Sequence, residues 1–223
     1  MDREQLVKIV TEAVMAQLAL SREARGQDVK GIPIGISNRH VHLSQADLDT
    51  LFGSHAELTK FKDLSQPGQF AAEQKVTLVG PKGVIENVRI LGPARNTTQV
   101  EISVSDCFRL GVRAPIRSSG DLAGSAGVTL VGPKGSVTLK EGVIIAERHI
   151  HMDPASAAIF GVKDGDRVNV RTTGSRALTF SEVLVRVSDK YTLEMHVDID
   201  EANAALLKNG DIVEIVDESP CLL

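Results

Sequence analysis

The octapeptide VTLVGPKG occurs twice in this chain, at residues 76–83 and 128–135. In each copy, four residues with strand propensity precede Gly-Pro-Lys-Gly, a combination typical of a tight turn. A second repeat pairs VKDGDRVNV at 162–170 with LKNGDIVEI at 207–215, and each copy places Gly-Asp directly before a strand. Repetition at this scale predicts a protein assembled from related units of short strands and tight turns.

From residue 32 onward the residue pattern is mostly that of strands. We predict strands at 32–37, 75–79, 84–91, 98–104, 127–131, 136–139, 143–146, 167–171, 178–187, 192–197 and 212–216. Short strands with tight turns favour barrels or sandwiches over a doubly wound sheet, and the Gly-Asp-x-Val element resembles the turn of swapped-hairpin and double-psi barrels. We therefore predict a mainly β protein with two related six-stranded antiparallel β-barrels and short capping helices. The first barrel would span 32–145 and the second 146–223.

An N-terminal amphipathic helix is predicted for residues 1–20. Apolar residues recur there at helical spacing, for example Leu6, Ile9, Val10 and Ala13. Residues 21–31 are polar and without periodicity, which indicates a linker. Such a helix could pack on its own protein body or bind a partner surface.

Three short capping helices are predicted from their first residues. Ser44 can cap the first, with Asp47 completing a reciprocal capping box. Asp153 can cap the second, with Pro154 in the first turn, and Asp200 can cap the third.

Composition excludes several classes of function. The chain has 223 residues, a formal net charge of −4 and no Lys/Arg-rich run, which argues against a nucleic-acid partner. No apolar run approaches the ~20 residues of a membrane span, so no membrane partner is expected. Two cysteines, Cys107 and Cys221, do not make a disulfide framework and fit a reducing, cytoplasmic compartment.

Five of the six histidines lie in three similar segments. RHVHLSQADLDTLFG at 39–53 and RHIHMDPASAAIFG at 148–161 each contain a His-x-His pair, and MHVDIDEANAALLKNG at 195–210 contains one histidine. Both histidines of a pair share one face of a strand, where they can supply two imidazole ligands to zinc. Five histidines exceed the four ligands of a structural site, which indicates two metals, or one metal with a protonatable neighbour. Alternatively, they are polar residues that cap the following helices.

Three other polar features have simpler interpretations. Glu101 alternates with apolar neighbours, which predicts a carboxylate facing solvent, and Arg95 follows Gly-Pro in a loop where an arginine is usually solvated. His55 lies outside the repeated pattern and is expected on the surface. The GPKG loops do not match the phosphate-binding P-loop sequence, so nucleotide hydrolysis is not indicated.

Several long sequence strings resemble the PduL-type phosphate propanoyltransferase family. They are SNRHVHLS at 37–44, QPGQFAAE at 66–73, VRILGPARNTTQVEIS at 88–103, RHIHM at 148–152 and MHVDIDEANAA at 195–205. Enzymes of this family are phosphotransacylases associated with propanediol degradation and bacterial microcompartments. The resemblance extends from about residue 32 to residue 217.

The resemblance implies a tandem β-barrel enzyme with two zinc ions. It would interconvert propanoyl-CoA, or another short acyl-CoA, plus phosphate with acyl phosphate plus coenzyme A. The implied ligands are His40, His42 and Glu101 for the first zinc, and His149, His151 and His196 for the second. Arg95 would handle phosphate, and the coenzyme A contacts would fall at Ser37, Lys62, Arg89, Leu91 and Asn203.

The resemblance also carries expectations about partners and location. Residues 1–20 look like an encapsulation peptide that binds microcompartment shell or core proteins, which would place the enzyme in the cytoplasm inside a microcompartment, as a homo-oligomer. Two alternatives from other classes are a dinuclear zinc hydrolase and a non-enzymatic, zinc-stabilised barrel module. Strict dependence of the reaction on phosphate separates the transferase from both.

Overall fold

The computed structural model describes residues 31–216. The strands are β1 Ile32–Ser37, β2 His40–His42, β3 Lys60–Asp63, β4 Phe70–Val79, β5 Val84–Gly92, β6 Gln99–Glu101, β7 Ile116–Arg117, β8 Ala126–Val131, β9 Ser136–Ala146, β10 His149–Met152, β11 Arg167–Arg171, β12 Thr179–Val187, β13 Glu194–Asp198 and β14 Ile212–Val216. The helices are α1 Gln45–Phe52, α2 Val104–Leu110, α3 Pro154–Phe160 and α4 Ile199–Ala205. Within these residues, no helix has both the length and the apolarity needed to cross a membrane.

Two closed six-stranded barrels organise these strands. The first barrel follows the order β4-β5-β2-β6-β9-β8 and closes where β8 pairs with β4. Two short strands lie outside this ring: β3 pairs with β4, and β7 pairs with β9. The second follows the order β1-β13-β10-β12-β11-β14. A separate cluster of buried apolar side chains fills each barrel. The predicted mainly β, two-barrel fold is therefore confirmed.

The strand directions correct one part of that prediction. Each barrel contains two parallel pairs: β2 with β5 and β6 with β9 in the first, and β10 with β12 and β1 with β13 in the second. The barrels are therefore mixed rather than purely antiparallel. Turn sequences identify hairpins, which join antiparallel neighbours, whereas parallel neighbours are joined by crossovers that leave no local signature.

The boundary between the barrels also differs from the prediction. Strand β1 pairs with β13 and β14, so residues 32–37 belong to the second barrel and not to a first barrel spanning 32–145. The first barrel begins at β2 and ends with β9. The predicted helix at 1–20, the linker up to residue 30 and the tail at 217–223 lie outside the described residues.

The repeated octapeptides lie next to each other in the first barrel. Their VTLV segments form the end of β4 and the second half of β8, which pair in antiparallel fashion. Leu78 faces Leu130 at the centre of this pairing, and both side chains are fully buried. The two copies of the repeat are thus related by a local two-fold axis across one antiparallel strand pair.

The two GPKG turns each receive the end of a helix. The Lys82 backbone N–H donates to the Leu110 carbonyl of α2, and the Lys134 N–H donates to the Leu51 carbonyl of α1, both at 3.0 Å. A Cβ atom at Gly80 would lie 2.2 Å from the Leu110 oxygen, so glycine is required for this approach. These turns satisfy helix carbonyls, which gives them a structural role.

The caps of α1 and α3 match the prediction except in one detail. Ser44 caps α1 by accepting from the Asp47 N–H, and Asp153 caps α3 with Pro154 in its first turn. The reciprocal half of the predicted capping box is absent, because the Ser44 N–H donates to the Thr98 hydroxyl instead.

Helices α2 and α4 begin with complete capping boxes. In α2, Ser103 and Asp106 bond each other's backbone N–H groups, and in α4 Asp198 and Glu201 do the same. The predicted cap Asp200 therefore lies in the first turn of α4. Helix α2 was not predicted, although the spacing of Ser103 and Asp106 is a recognisable start signal.

Candidate metal centre

The two barrels present their candidate ligands on equivalent strands. In the first, His40 of β2 lies opposite Glu101 of β6, and in the second, His149 of β10 lies opposite His196 of β13. Both strand pairs are antiparallel, and each His-x-His strand also has a parallel neighbour on its other side. Glu101 and His196 therefore occupy equivalent positions, one beside each histidine pair.

The first cluster contains His40, His42 and Glu101. The Glu101 carboxylate lies 3.4 Å from His40 Nε2 and 3.7 Å from His42 Nε2. Only 12% of the Glu101 side chain is exposed, so the solvent-facing position expected from strand alternation is wrong and the position implied by the family resemblance is supported. Besides the two histidines, Gln99 and Ser119 also contact the Glu101 carboxylate, so little of it reaches solvent.

The second cluster contains His149, His151 and His196. Their ring centroids are separated by 4.6, 4.9 and 5.1 Å. In each cluster one possible ligand atom from every residue lies within 4.8 Å of the other two. The structure thus brings all six predicted ligands into two groups of three.

The first histidine of each pair has the same hydrogen bond. His40 Nδ1 lies 2.8 Å from the Asn38 carbonyl, and His149 Nδ1 lies 2.8 Å from the Glu147 carbonyl. A neutral ring that donates from Nδ1 keeps its lone pair on Nε2. Both backbone contacts therefore prepare Nε2 as a metal ligand.

The second histidine of each pair has buried nitrogen atoms without partners. His42 Nδ1 and both ring nitrogens of His151 lack a hydrogen bond from any described residue. Buried polar atoms are nearly always satisfied in folded proteins, so orphaned ones need an explanation. A metal ion bound to these rings would supply it, and the donor set of each cluster fits zinc.

Burial keeps most of these imidazoles neutral. It lowers the pKa of His42 to about 3, with the His40 charge adding to the effect. Burial also lowers the pKa of His149 to about 4 and that of His151 to about 2, helped by the neighbouring histidines. Neutral imidazole is the form that binds a metal, so these rings are competent ligands at neutral pH.

Glu101 and His40 behave as an ion pair. Burial alone would lower the pKa of His40, but the charge and hydrogen bond of Glu101 outweigh it and raise that pKa. Burial alone would raise the pKa of Glu101, but His40 and His42 hold it well below its ordinary value. Glu101 is therefore a carboxylate at neutral pH.

Arg95, the residue that the resemblance implied for phosphate, lies near the first cluster, where its charge acts on His40, His42 and Glu101. Its side chain is half-buried, and Nη1 donates to the Ser119 hydroxyl at 3.2 Å. Burial and the Arg186 charge lower the pKa of Arg95, while Glu101 opposes them. Arg95 and Gln99 also line an open cleft of about 650 Å³. Arg95 is thus close enough for its charge to act on Glu101, and it also lines this cleft.

Three of the predicted coenzyme A contacts lie together on the first barrel. Lys62 and Leu91 lie on either side of Ala71 across three neighbouring strands. Arg89 lies beside His40 in the next strand, and its guanidinium covers the Phe61 ring at 4.7 Å. Two of these three side chains are positively charged, and Arg89 is on the strand next to His40.

The other two predicted contacts lie near the start of α4. Ser37 ends β1 opposite Asp198, the residue that caps α4, and Asn203 is exposed on that helix. They belong to elements of the second barrel, whereas Lys62, Arg89 and Leu91 belong to the first.

Sequence reasoning missed two side chains that hold ligands. Gln99 donates from Nε2 to Glu101 Oε1 at 2.6 Å, and Glu194 accepts from His196 Nε2 at 2.6 Å. Each precedes its ligand by two residues on the same strand, and such residues share a face. That spacing was the available signal. Tyr191 was also missed, and it stacks on His151 with ring centroids 4.1 Å apart.

The sequence of this chain is similar to that of known proteins over most of its length. The sequence model of the phosphate propanoyltransferase family matches residues 33–208. A phosphate propanoyltransferase of Thermotoga maritima is 60% identical over 188 residues, which cover 84% of this chain and 90% of that protein. Similar proteins of the same name occur in Rhodopseudomonas palustris, at 53% identity over 85% of this chain and 84% of that protein, and in Rhodobacter capsulatus, at 50% over 92% and 95%.

Proposed function

We propose that this chain, a member of the phosphate propanoyltransferase family, moves a short acyl group such as propanoyl between coenzyme A and phosphate at the two clusters. It is an acyltransferase with phosphotransacylase chemistry. The observation that carries the proposal is the pair of buried three-ligand clusters with Arg95 beside them. The two clusters are near neighbours, since the Glu101 charge contributes to the pKa of His149.

We propose that each cluster holds one zinc ion. His40, His42 and Glu101 would hold the first, and the three histidines of the second cluster would hold the other. The zinc ions would stabilise the departing thiolate of coenzyme A and offset the charge of phosphate. The orphaned ring nitrogens of His42 and His151 support this occupancy.

The different charges of the clusters suggest how the substrates divide between them. Glu101 gives the first cluster one negative charge, whereas the second contains three imidazoles and no carboxylate. A divalent ion among neutral ligands keeps its full charge and therefore attracts an anion more strongly. Phosphate is accordingly assigned to the second cluster and the sulfur of coenzyme A to the first.

The reaction needs no covalent enzyme intermediate. A phosphate oxygen attacks the thioester carbonyl carbon, a C–O bond forms, the C–S bond breaks, and coenzyme A leaves as a thiolate. Arg95 is proposed to hold the phosphate through two parallel N–H donors, close to the carbonyl. Cys107 is a poor alternative nucleophile, because burial raises the pKa of its thiol.

The proposed coenzyme A path uses side chains from both barrels. Lys62 and Arg89 provide positive charge for its phosphate groups, and Leu91 lies two residues after Arg89 on the strand beside the first cluster. Ser37 and Asn203 would contribute polar contacts from the second barrel. The coenzyme A site would then be formed by side chains from both barrels.

A direct assay tests the proposed reaction. Purified protein is mixed with propanoyl-CoA, and free thiol and acyl phosphate are followed with and without phosphate. Thiol release that requires phosphate and yields equal acyl phosphate is expected. Thiol release without phosphate would instead indicate a zinc hydrolase, and no release from any short acyl-CoA would indicate a non-enzymatic module.

We propose that residues 1–20 direct the enzyme into a bacterial microcompartment, in a pathway such as propanediol degradation. The described barrels begin at β1 and close without this segment. Its amphipathic pattern suits binding to a shell or core protein, or to another copy in a homo-oligomer.

Deletion of residues 1–20 tests this role. The truncated protein should retain its zinc and its transacylase rate within about twofold, since all six proposed ligands lie in the barrels. A fluorescent protein fused to residues 1–20 should collect in compartments in cells that build shells. Loss of activity on deletion would assign the segment to the catalytic body, and diffuse fluorescence would reject targeting.

A further inference from the structure

Glu194 fixes the orientation of one ligand in the second cluster. Its Oε2 lies 2.6 Å from His196 Nε2, and its side chain is only 14% exposed. A ring that donates from Nε2 keeps its lone pair on Nδ1. The contact therefore leaves Nδ1 of His196 as the atom available to a metal. Glu194 is not itself part of the cluster of possible ligand atoms.

The other barrel holds Glu194 in place. The Ser65 hydroxyl donates to Glu194 Oε2, and Gln66 Nε2 lies 3.5 Å from the same oxygen. Gln66 is buried, and its amide also bonds both the carbonyl and the N–H of Thr192, two residues before Glu194. Ser65 and Gln66 lie in the β3–β4 loop, outside the second barrel. Residues outside the second barrel therefore help to hold His196, which belongs to it.

Gly35 provides the space that the carboxylate occupies. This residue lies on β1 directly opposite His196. A Cβ atom placed on Gly35 would lie 2.6 Å from the Glu194 carboxyl carbon, so any side chain there would displace the carboxylate. Glu194 is therefore positioned by three elements: the β3–β4 loop, β1 and its own strand.

The first cluster is supported differently. Its ligand Glu101 accepts from Gln99 at 2.6 Å and from Ser119 at 3.4 Å, and both donors belong to the first-barrel half of the chain. Gln99 also accepts from the Gly120 N–H at 2.8 Å, within the same half. The first cluster can therefore form within one barrel, whereas the second depends on contact between two.

We propose that Glu194 is the positioning residue of the second metal site, and that Ser65 and Gln66 make this site dependent on docking of the two barrels. The inference rests on the proposed metal function. Hydrogen-bonded partners of metal ligands typically change metal affinity by about 10–100-fold when removed. Loss of Glu194 should therefore weaken the second site and leave the first intact.

Metal content of the full chain tests the proposal. Zinc per chain is measured during titration with a chelator, and Co²⁺ absorption in the visible range reports the ligand environment independently of activity. Compared with the unmodified chain, Glu194→Ala should lose one of its two ions at about 10–100-fold lower chelator concentration and keep the other. Glu194→Gln, which can still accept from the imidazole, should fall between them.

Two further variants and a control separate positioning from damage to the fold. Gly35→Ala should reproduce the loss of one ion although Glu194 is present, and the double variant Ser65→Ala, Gln66→Ala should weaken the same site. Glu214→Ala removes an exposed carboxylate of the same barrel and should release zinc like the unmodified chain.

Each outcome decides between the two proposals. Two ions held with unchanged affinity by Glu194→Ala and by Gly35→Ala would overturn the positioning role and leave the proposed function intact. Absence of zinc from the unmodified chain would overturn both. Loss of both ions together from Glu194→Ala, with an unchanged thermal midpoint for the metal-free protein, would overturn the independence of the first site.

Discussion

The two candidate metal clusters share one backbone arrangement and differ in their side chains. Both place a His-x-His strand between an antiparallel strand that carries the third ligand and a parallel strand. Both also use the arginine before the first histidine in the same way. Arg39 bonds Asp106 at 2.8 Å and Arg148 bonds Glu201 at 2.8 Å, and each acid is the capping-box residue of the helix that follows the third ligand.

The difference lies in one ligand and the residue that supports it. The first cluster has the acid Glu101 held by the amide Gln99, and the second has the imidazole His196 held by the acid Glu194. Each support matches its ligand, because a carboxylate accepts from an N–H while an imidazole donates one. Related barrels can therefore change the charge of a metal site by exchanging one ligand together with its hydrogen-bond partner.

The largest effect is expected from removing a ligand. His149→Ala should reduce kcat/KM by about 1,000-fold or more, because a metal ion supplies several kcal/mol of transition-state stabilisation. His40→Ala should do the same if the clusters are equally necessary. Metal analysis and the transacylase assay check both, with His55→Asn, an exposed histidine with positive φ, as the control. Residual activity within tenfold for either variant would show that one cluster suffices.

A smaller loss is expected at Arg95. Arg95→Lys keeps the charge and removes the two-donor geometry, so kcat should fall by roughly 100-fold with little change in KM for the acyl-CoA. Steady-state kinetics with each substrate varied in turn measures this. An equal rise in KM for propanoyl-CoA would assign Arg95 to coenzyme A binding and remove its link to phosphate.

A moderate effect on metal affinity is expected at Gln99. Gln99→Met keeps the side-chain volume but removes the hydrogen bond to Glu101, so the first site should bind zinc roughly 10-fold more weakly. The second site should be unaffected, which is the reverse of the pattern expected for Glu194→Ala. Chelator titration compares the two variants. Weakening of both sites by Gln99→Met would contradict independent support of the clusters.

The smallest effect concerns the stability of the metal-free protein between pH 7 and pH 5. His149 and His151 have folded-state pKa values of about 4 and about 2, below the ordinary 6.5, so the unfolded chain binds more protons as the pH falls. The free energy of unfolding should therefore decrease toward pH 5. In the first cluster, the lowered pKa of His42 and the raised pKa of His40 act in opposite directions.

Thermal midpoints measured in the presence of a chelator check this assignment. The double variant His149→Ala, His151→Ala should lose most of the pH dependence, while His40→Ala, His42→Ala should change it little. A metal-free protein that is equally stable at pH 7 and pH 5 would show that His149 and His151 are not held neutral.

Sequence periodicity located most of the strands but not their partners. The segments predicted at 136–139 and 143–146 form one strand, β9, and the segment predicted at 98–104 ends at residue 101 and continues into α2. Local alternation reports which residues are buried and where turns fall. It does not report whether a strand pairs with its sequence neighbour or with one 160 residues away, as β1 does with β13.

In the candidate site, too, some residues were predictable from local sequence and others depended on strand pairing. The repeated His-x-His pairs indicated the candidate histidine ligands directly, because ligand chemistry and strand alternation are both local properties. The same alternation predicted that the Glu101 side chain faces solvent, because alternation within one strand does not include the loop and the histidines that cover it. Its place beside His40 depends on the pairing of β2 with β6.

By itself, the sequence determined most of the strands, the caps of α1 and α3, the glycine turns and the candidate histidine ligands, since each of these depends on residues within a few positions of one another. Only the tertiary structure decided which barrel β1 joins, that Glu101 and His196 are equivalent, and that Ser65 and Gln66 support Glu194 from the other barrel. The physical reason is that strand pairing and barrel docking are selected by burial of apolar surface over the whole chain, and that free energy has no local signature.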